Sequence, residues 1–373
     1  MRILAGPKNH HFVPQYYFRL FTGGQRHICA YLTQHKCVIP RAPIKGQCAR
    51  HKFYGSAEIE NHFSLLEGLH ASALQTLVKA AENDNIHEFT WEHFPWLLQA
   101  IVFQRARTML EVEKTFPVLE GMMLKMFKEH LLHTLSPEDI EEYVGPIERG
   151  EVRIFEDPTA TVLRQISVAL ESASLLVDLQ PRLIRNHSDY PFVFSDSPVV
   201  FYNLYYQYIT DRGVLGLQTP GLMIFYPLTP RLQLLMIDPA VYTGSIANGP
   251  FCDIVDRSDV SHLNALQMHH SNSAIYFAHM GDAEYVEELY KAHAPQITKP
   301  QAEFRVCQNL LVNGEPFDEE IMHTFEPQLN HMLSLSFLDC KPVMPEEFSF
   351  RHRSPEIVEE HDRLHPPGLE VDE

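Results

Sequence analysis

No Asp or Glu occurs in the first 57 residues. That head holds nine Lys/Arg and five His, so it cannot neutralise its own charge. The first acid is Glu58, and beyond the head 21 bases face 48 acids, which divides the chain into a +9 head and a −27 body. Long apolar runs are missing too. Leu222-Met223-Ile224-Phe225-Tyr226 is among the longest, far short of the roughly 18 residues a membrane-spanning helix needs. No apolar stretch of signal-peptide type stands near residue 1, and the chain reads as soluble and cytoplasmic, with no membrane partner. The six cysteines, at 29, 37, 48, 252, 307 and 340, form no CxxC pair. Cys29, Cys37, Cys48 and His51 could supply four zinc ligands, but their spacing fits no common knuckle, and free cysteines are usually buried apolar groups. There is no GxGxxG, no phosphate-binding Gly-rich loop, no HExxH and no kinase signature. The easily read nucleotide enzymes are thereby excluded, and unusual ones remain open. A net charge of −18 argues against a protein that coats nucleic acid over its whole surface, while a local basic groove remains open.

With 373 residues, 45% of them hydrophobic, the chain can bury a large core. Its texture predicts an α+β fold: a mainly helical body with a mixed or antiparallel sheet of short strands, in a single large domain. Residues 1–56 form a basic, aromatic N-terminal segment expected to pack on the body, with a helical turn over 10–21, a strand at Ile28 to Leu32 and a loop over 33–56. The body spans 57–345: helical over 57–180, strand-rich over 181–245 and helical again over 256–295. Ile59, Phe63, Leu66, Leu69, Ala73 and Leu77 make one apolar stripe on the first long helix. Thr90 is expected to cap a second helix reaching about Glu113, with Pro95 in its opening turns, and a third helix covers about 117–133. Asp157-Pro158 opens a longer one. Phe192 to Phe194, Pro198 to Tyr202, Leu222 to Leu228 and Leu232 to Ile237 read as strands. Ser258 is expected to cap a helix reaching about His279. Residues 346–373 hold nine acids and three bases and read as a disordered acidic tail.

Several motifs recur in one order. They are His10-His11-x-x-Pro14 with Tyr17 and Phe21, then Phe53-Tyr54, Glu60 and Glu67, Gln104-x-x-Arg107, Ser195-Asp196-x-Pro198, Pro227-Leu228-x-Pro230 and Asn264. On these residues the chain, over roughly 8–280, resembles the bacterial family known as the domain of unknown function numbered 4238. The resemblance implies an architecture and a set of site residues. It implies no activity.

Adjacent His10 and His11 point about 100° apart on a helix and to opposite faces on a strand, so they are not expected to chelate one ion as a pair. One would face a pocket and the other bond the backbone. Glu60 and Glu67, seven residues apart, share one helix face. Two roles stay open for them: ion pairs gluing the basic head to the body, or ligation of a divalent ion with a histidine. Gln104 and Arg107 share another face and could clamp a phosphate or carboxylate, or Arg107 could bridge to one of the body's acids. Asp196 ends an apolar strand, where a carboxylate serves either a turn before Pro198 or a metal site. Ser195 lacks a nucleophile-elbow context, which argues against a serine hydrolase.

Two functions from different classes follow. In the first, the protein is a metal-assisted hydrolase of a phosphodiester or nucleotide. Asp196, Glu67 and His11 would hold a divalent metal ion and its water, His10 and Gln104 would complete the catalytic set, and Arg107 would stabilise developing negative charge. In the second, it is a non-catalytic binding protein whose basic head docks an acidic partner, whether an anionic small molecule, a nucleic acid, an acidic protein or the chain's own acidic tail. Convergence of His10 or His11 with Glu67, Gln104, Arg107 and Asp196 in one cleft favours the first.

Overall fold

The structure is a computed structural model that describes residues 9–154, 157–210, 212–298, 302–307, 310–312, 315–317 and 321–366. The fold is α+β. The head contributes β1 (Asn9–His11), α1 (Gln15–Phe21), β2 (His27–Leu32), β3 (Cys37–Pro43) and β4 (Ala49–His51). Helices follow: α2 (Ala57–Glu82), α3 (Phe94–Ala106), α4 (Met109–Thr134), α5 (Ile140–Glu148) and α6 (Pro158–Glu171). The strand-rich part holds β5 (Gln180–Asn186), β6 (Phe194–Ser195), β7 (Val200–Tyr202), β8 (Met223–Thr229), β9 (Leu232–Ile237) and β10 (Phe251–Ile254). Then come α7 (Arg257–His269), β11 (Ala274–Phe277), α8 (Ala283–His293), β12 (Glu303–Cys307), β13 (Leu310–Val312), β14 (Glu315–Phe317), β15 (Ile321–Phe325) and α9 (Pro355–Leu364).

The main sheet runs β10-β5-β9-β8-β7. It is antiparallel except where β10 lies parallel to β5. Every residue of β9 is buried, as its unbroken apolar run demands of a strand covered on both faces. A second sheet, β3-β2-β11-β6, is antiparallel and joins the head to the body through β2 against β11. Helix α3 is apolar nearly all round and lies in the core, as expected for a helix covered on every side.

The head is held by aromatic burial. On α1, Tyr17, Phe18 and Phe21 are buried. Tyr17 stacks on Tyr226 at 5.0 Å and gives its hydroxyl proton to the carbonyl of Pro227. Phe194 receives the edges of Tyr17, Phe18 and Phe21. Burying three such rings contributes roughly 1.5–3 kcal/mol each, against about 0–1 kcal/mol for an exposed ion pair. The ion-pair glue expected between the head and Glu60 and Glu67 is not what forms. Arg19, Arg26, Lys36, Arg41, Lys45, Arg50 and Lys52 are all exposed.

Residues 33–56, expected as loop, contain β3 and β4. Pro40 and Pro43 suggest a break, but β3 is an edge strand, where the missing N–H costs nothing. The second helix ends at Ala106 and not near Glu113, because Thr108 caps a new helix by accepting from the N–H of Glu111. Helix α7 is capped by Asp256 in place of Ser258 and stops at His269. A Ser-Asn-Ser turn then feeds β11.

The acid-rich end is not free of the body. Arg353 is nearly buried and grips Asp178 through both Nε (2.8 Å) and Nη2 (2.7 Å). It also donates to the carbonyls of Leu175, Leu217 and Thr219. Composition alone missed this, since one arginine among acids looks solvated. Residues 367–373 lie outside the described residues. Truncation after Pro345, or Arg353→Ala, is expected to destabilise the protein by about 3 kcal/mol, the scale for breaking a buried ion pair. Urea denaturation checks this; a midpoint equal to wild type for both would show that the segment does not anchor.

Candidate functional site

The first half of α2 is less deeply covered than the second: its buried residues begin at His70. Opposite this half lies the head. Between them is an open cleft of about 660 Å³ lined by Asn9, His11, Gln15, Tyr16, Arg19, Lys45, Glu60, Ser64, Glu67, Gly68 and Ala71. The head supplies its cations and imidazole, and α2 its carboxylates.

His11 and His10 take opposite faces of β1, as a strand requires. His11 Nε2 stands 3.1 Å from the carbonyl oxygen of Lys45 and donates to it, which leaves Nδ1 as the acceptor. Burial lowers its pKa, opposed by that hydrogen bond and by the charge of Glu67. His10 is buried, accepts at Nδ1 from the N–H of Tyr54 (3.0 Å) and stacks on the Tyr54 ring. It supports the fold and does not reach the cleft.

Behind the cleft lies Arg107, among the largest fully buried side chains. Its Nη1 bonds Glu67 at 2.5 Å, its Nη2 donates to Gln104 Oε1 at 3.1 Å, and its guanidinium lies over the Phe103 ring. Gln104 donates its own amide to the carbonyl of Phe12 (2.9 Å). Burial opposes the charge on Arg107, but Glu67, Tyr54 and Tyr16 outweigh it and raise its pKa. The expected anion clamp is therefore corrected. Arg107 bonds Glu67 and Gln104, and Gln104 bonds the Phe12 carbonyl, so both act on the cleft from behind. Glu60 stands in the cleft, and no cation among the described residues is bonded to it. Burial, then the charge of Glu67, pushes its pKa up to about 7, while Arg107 pulls the other way.

Asp196 does not join this group. It is buried beside β11, where its two oxygens accept from the N–H groups of Asn272 and Ser273 (both 2.8 Å) and from the Ser273 hydroxyl (2.6 Å). It is the carboxylate that stops α7 and turns the chain into β11. The metal set of Glu67, Asp196 and His11 is thus not assembled. Ser195 is likewise buried and bonded to Gln267. The cysteine set is dispersed: Cys29 donates to Pro40, Cys48 meets the Tyr276 hydroxyl, and Cys37 is exposed.

The sequence model of a family described as a protein of unknown function, DUF4238, matches residues 9–280. The chain belongs to that family. No curated protein and no solved structure matches the chain. The motif residues of the family region now sort into two groups. Tyr17, Tyr54, Asp196, Pro227 and Asn264 hold the architecture, Asn264 by accepting from Val193 N–H and donating to Pro191. His11, Glu60 and Glu67, backed by Gln104 and Arg107, converge. Sequence reasoning missed Arg19, Lys45 and Tyr16 as cleft residues. A loop lysine carries no local signal of where it will point. No helix among the described residues is long and apolar enough to cross a membrane.

Two outcomes follow. Arg107→Lys keeps the charge but loses the planar fork and the stack on Phe103, so it should cost about 1–3 kcal/mol of stability. Arg19→Ala, at an exposed site, should stay within about 0.5 kcal/mol. Equal denaturation midpoints for the two variants would contradict the buried role. Glu60 gives a pH signature. Its pKa rises from 4.5 to about 7 on folding, so below pH 4.5 both states hold the proton. As pH rises the unfolded chain ionises first, and stability falls until the penalty is complete above about pH 7. Glu60 is partly exposed, so solvent screening cuts that penalty to on the order of 1 kcal/mol. Glu60→Gln should gain that amount at pH 8 and nothing at pH 4; a pH-independent difference would refute the shift.

Proposed function

We propose that the cleft between the head and α2 is the active site of a hydrolase acting on a phosphate-bearing, nucleotide-like substrate by acid–base catalysis. The observation that carries this is the meeting, in one open cleft, of Glu60 with His11 and the cations of Lys45 and Arg19. Lys45 and Arg19 belong to the acid-free head, so no neighbouring carboxylate of the head competes for a bound phosphate. A carboxyl that titrates near neutrality can give a proton to a leaving oxygen. His11 Nδ1 can take a proton from the attacking water. The water oxygen bonds phosphorus, the bond to the leaving oxygen breaks, and Glu60 protonates that oxygen. Burial, then the charge of Glu67, keeps the Glu60 proton in place. Asp196 is spent on a turn and Glu67 on Arg107, so this chemistry is assigned to the side chains and not to a metal ion held by them.

A second reading is favoured by one observation. Exposed cations continue beyond the cleft, at Arg26, Lys36, Arg41, Arg50 and Lys52, as a surface that docks an acidic partner without catalysis would require. Hydrolysis of bis(p-nitrophenyl) phosphate and of a nucleotide panel, together with calorimetric binding of the same nucleotides, separates the two. Glu60→Gln should lower kcat by about 100-fold or more, within the range for loss of a general acid, with KM little changed, and Lys45→Ala should mainly raise KM. Binding without turnover supports docking. Neither binding nor turnover by the wild type sinks both.

A further inference from the structure

Four histidines outside the cleft gather where α7, α8 and the segment after β15 meet. His262 and His269 are two turns apart on α7, His293 ends α8, and His331 lies in the irregular segment that follows Phe325. His269 Nε2 is 3.2 Å from His293 Nδ1. The His331 ring lies 5.2 Å from that of His269 and 5.3 Å from that of His293, centre to centre. One ligand nitrogen from each of these three lies within 4.8 Å of the others. Ligands around tetrahedral zinc stand about 3.3–3.4 Å apart, given Zn–N bonds of about 2.0–2.1 Å. The pair at 3.2 Å already has that spacing, and the His331 ligand atom lies within 4.8 Å of both.

Two buried ring atoms of this group have no hydrogen-bond partner among the described residues: Nε2 of His331 and Nδ1 of His262. An unmatched buried nitrogen is costly. The His331 ring packs against that of His262, with centroids 5.5 Å apart. The position of His331 is fixed as well. Its carbonyl accepts from Tyr202 (2.7 Å), and the same segment is pinned where Asp259 accepts from Ser336 N–H and Oγ. Burial lowers the pKa of all three rings, to about 4 for His269 and about 3 for His331, helped by the neighbouring imidazoles. They are neutral ligands near pH 7.

We propose that His269, His293 and His331 form a binding site for a divalent transition metal of the zinc class, with His262 beside it. A set of imidazoles with no carboxylate selects zinc, copper or nickel over magnesium or calcium. His293 is only half-buried and gives an entry path. The other compact group, Glu111, His270 and Glu326, is different: Lys114 bonds both carboxylates and Arg105 bonds Glu326, so its charge is already matched. His293 and His331 lie beyond the family-matched residues 9–280. The metal would therefore clip the later part of the chain to α7 of the family region.

Chelator-treated full-length protein, titrated with Co(II), tests this. One equivalent should bind with the strong visible bands of four-coordinate cobalt, zinc should displace it, and zinc but not magnesium should raise Tm. His293→Ala, at a half-buried helix end, should keep the fold and weaken binding at least ~100-fold, beyond the ~10–100-fold typical of a lost supporting contact. His331→Ala should do the same. Glu111→Gln should leave binding intact. No binding by the folded wild type overturns the proposal, as does binding that survives both histidine variants or depends on Glu111.

Discussion

The seating of α1 in the core is the constraint on which the rest depends. Tyr17 stacks on Tyr226 and hands its hydroxyl proton to Pro227, and Phe194 receives three ring edges. A segment of uniform positive charge is thus held to an acidic body by uncharged contacts. Attachment by ion pairs would have consumed the charges that make the head useful. Aromatic burial supplies more free energy than surface pairs could and leaves the cations facing outward. It also fixes β1, and with it His11 across from α2.

Arg107 illustrates the same division of labour inside the body. A fully buried guanidinium needs a fixed anion and fixed acceptors, and Glu67, Gln104 and the Phe103 face provide them. The pairing fixes the Glu67 carboxyl group in place at the edge of the cleft. Glu60, on the same face of α2 and without a partner of its own, inherits the repulsion. The raised proton affinity of Glu60 therefore comes first from its burial and then from the charge of Glu67, and Arg107 opposes both.

The helical texture of the body, four of its strands and the α+β class were legible because apolar periodicity reports burial directly. Strand β3 was hidden by its prolines, which matter only in a sheet interior. The early ends of α3 and α7 were hidden because Thr108 and Asp196 act through contacts rather than through periodicity. At the site, Glu60, Glu67, Gln104 and Arg107 were legible from spacing on two helices, and His11 from its strand. Their roles were not, because spacing shows which residues share a face and not what the opposite face spends. Asp196 looked like a ligand and proved to be the acceptor of a turn. The histidine group was invisible, since its members are separated by 24 and 38 residues of unrelated sequence.

The register of β2 against β11 carries one more consequence. Cys29 lies opposite Phe277 and Leu32 opposite Ala274, so a strand from the beginning of the family region, paired early with β3, finds its second partner only at the end of that region. On a ribosome adding about 5–20 residues per second, the head emerges on the order of ten seconds or more before β11 exists. During that interval Tyr17, Phe18 and Phe21 have no Phe194, Tyr226 or Tyr276 to cover them. The nascent chain then presents a basic, aromatic segment of the kind that cellular chaperones bind, and the like charges along it help keep neighbouring nascent chains apart until the sheet can close.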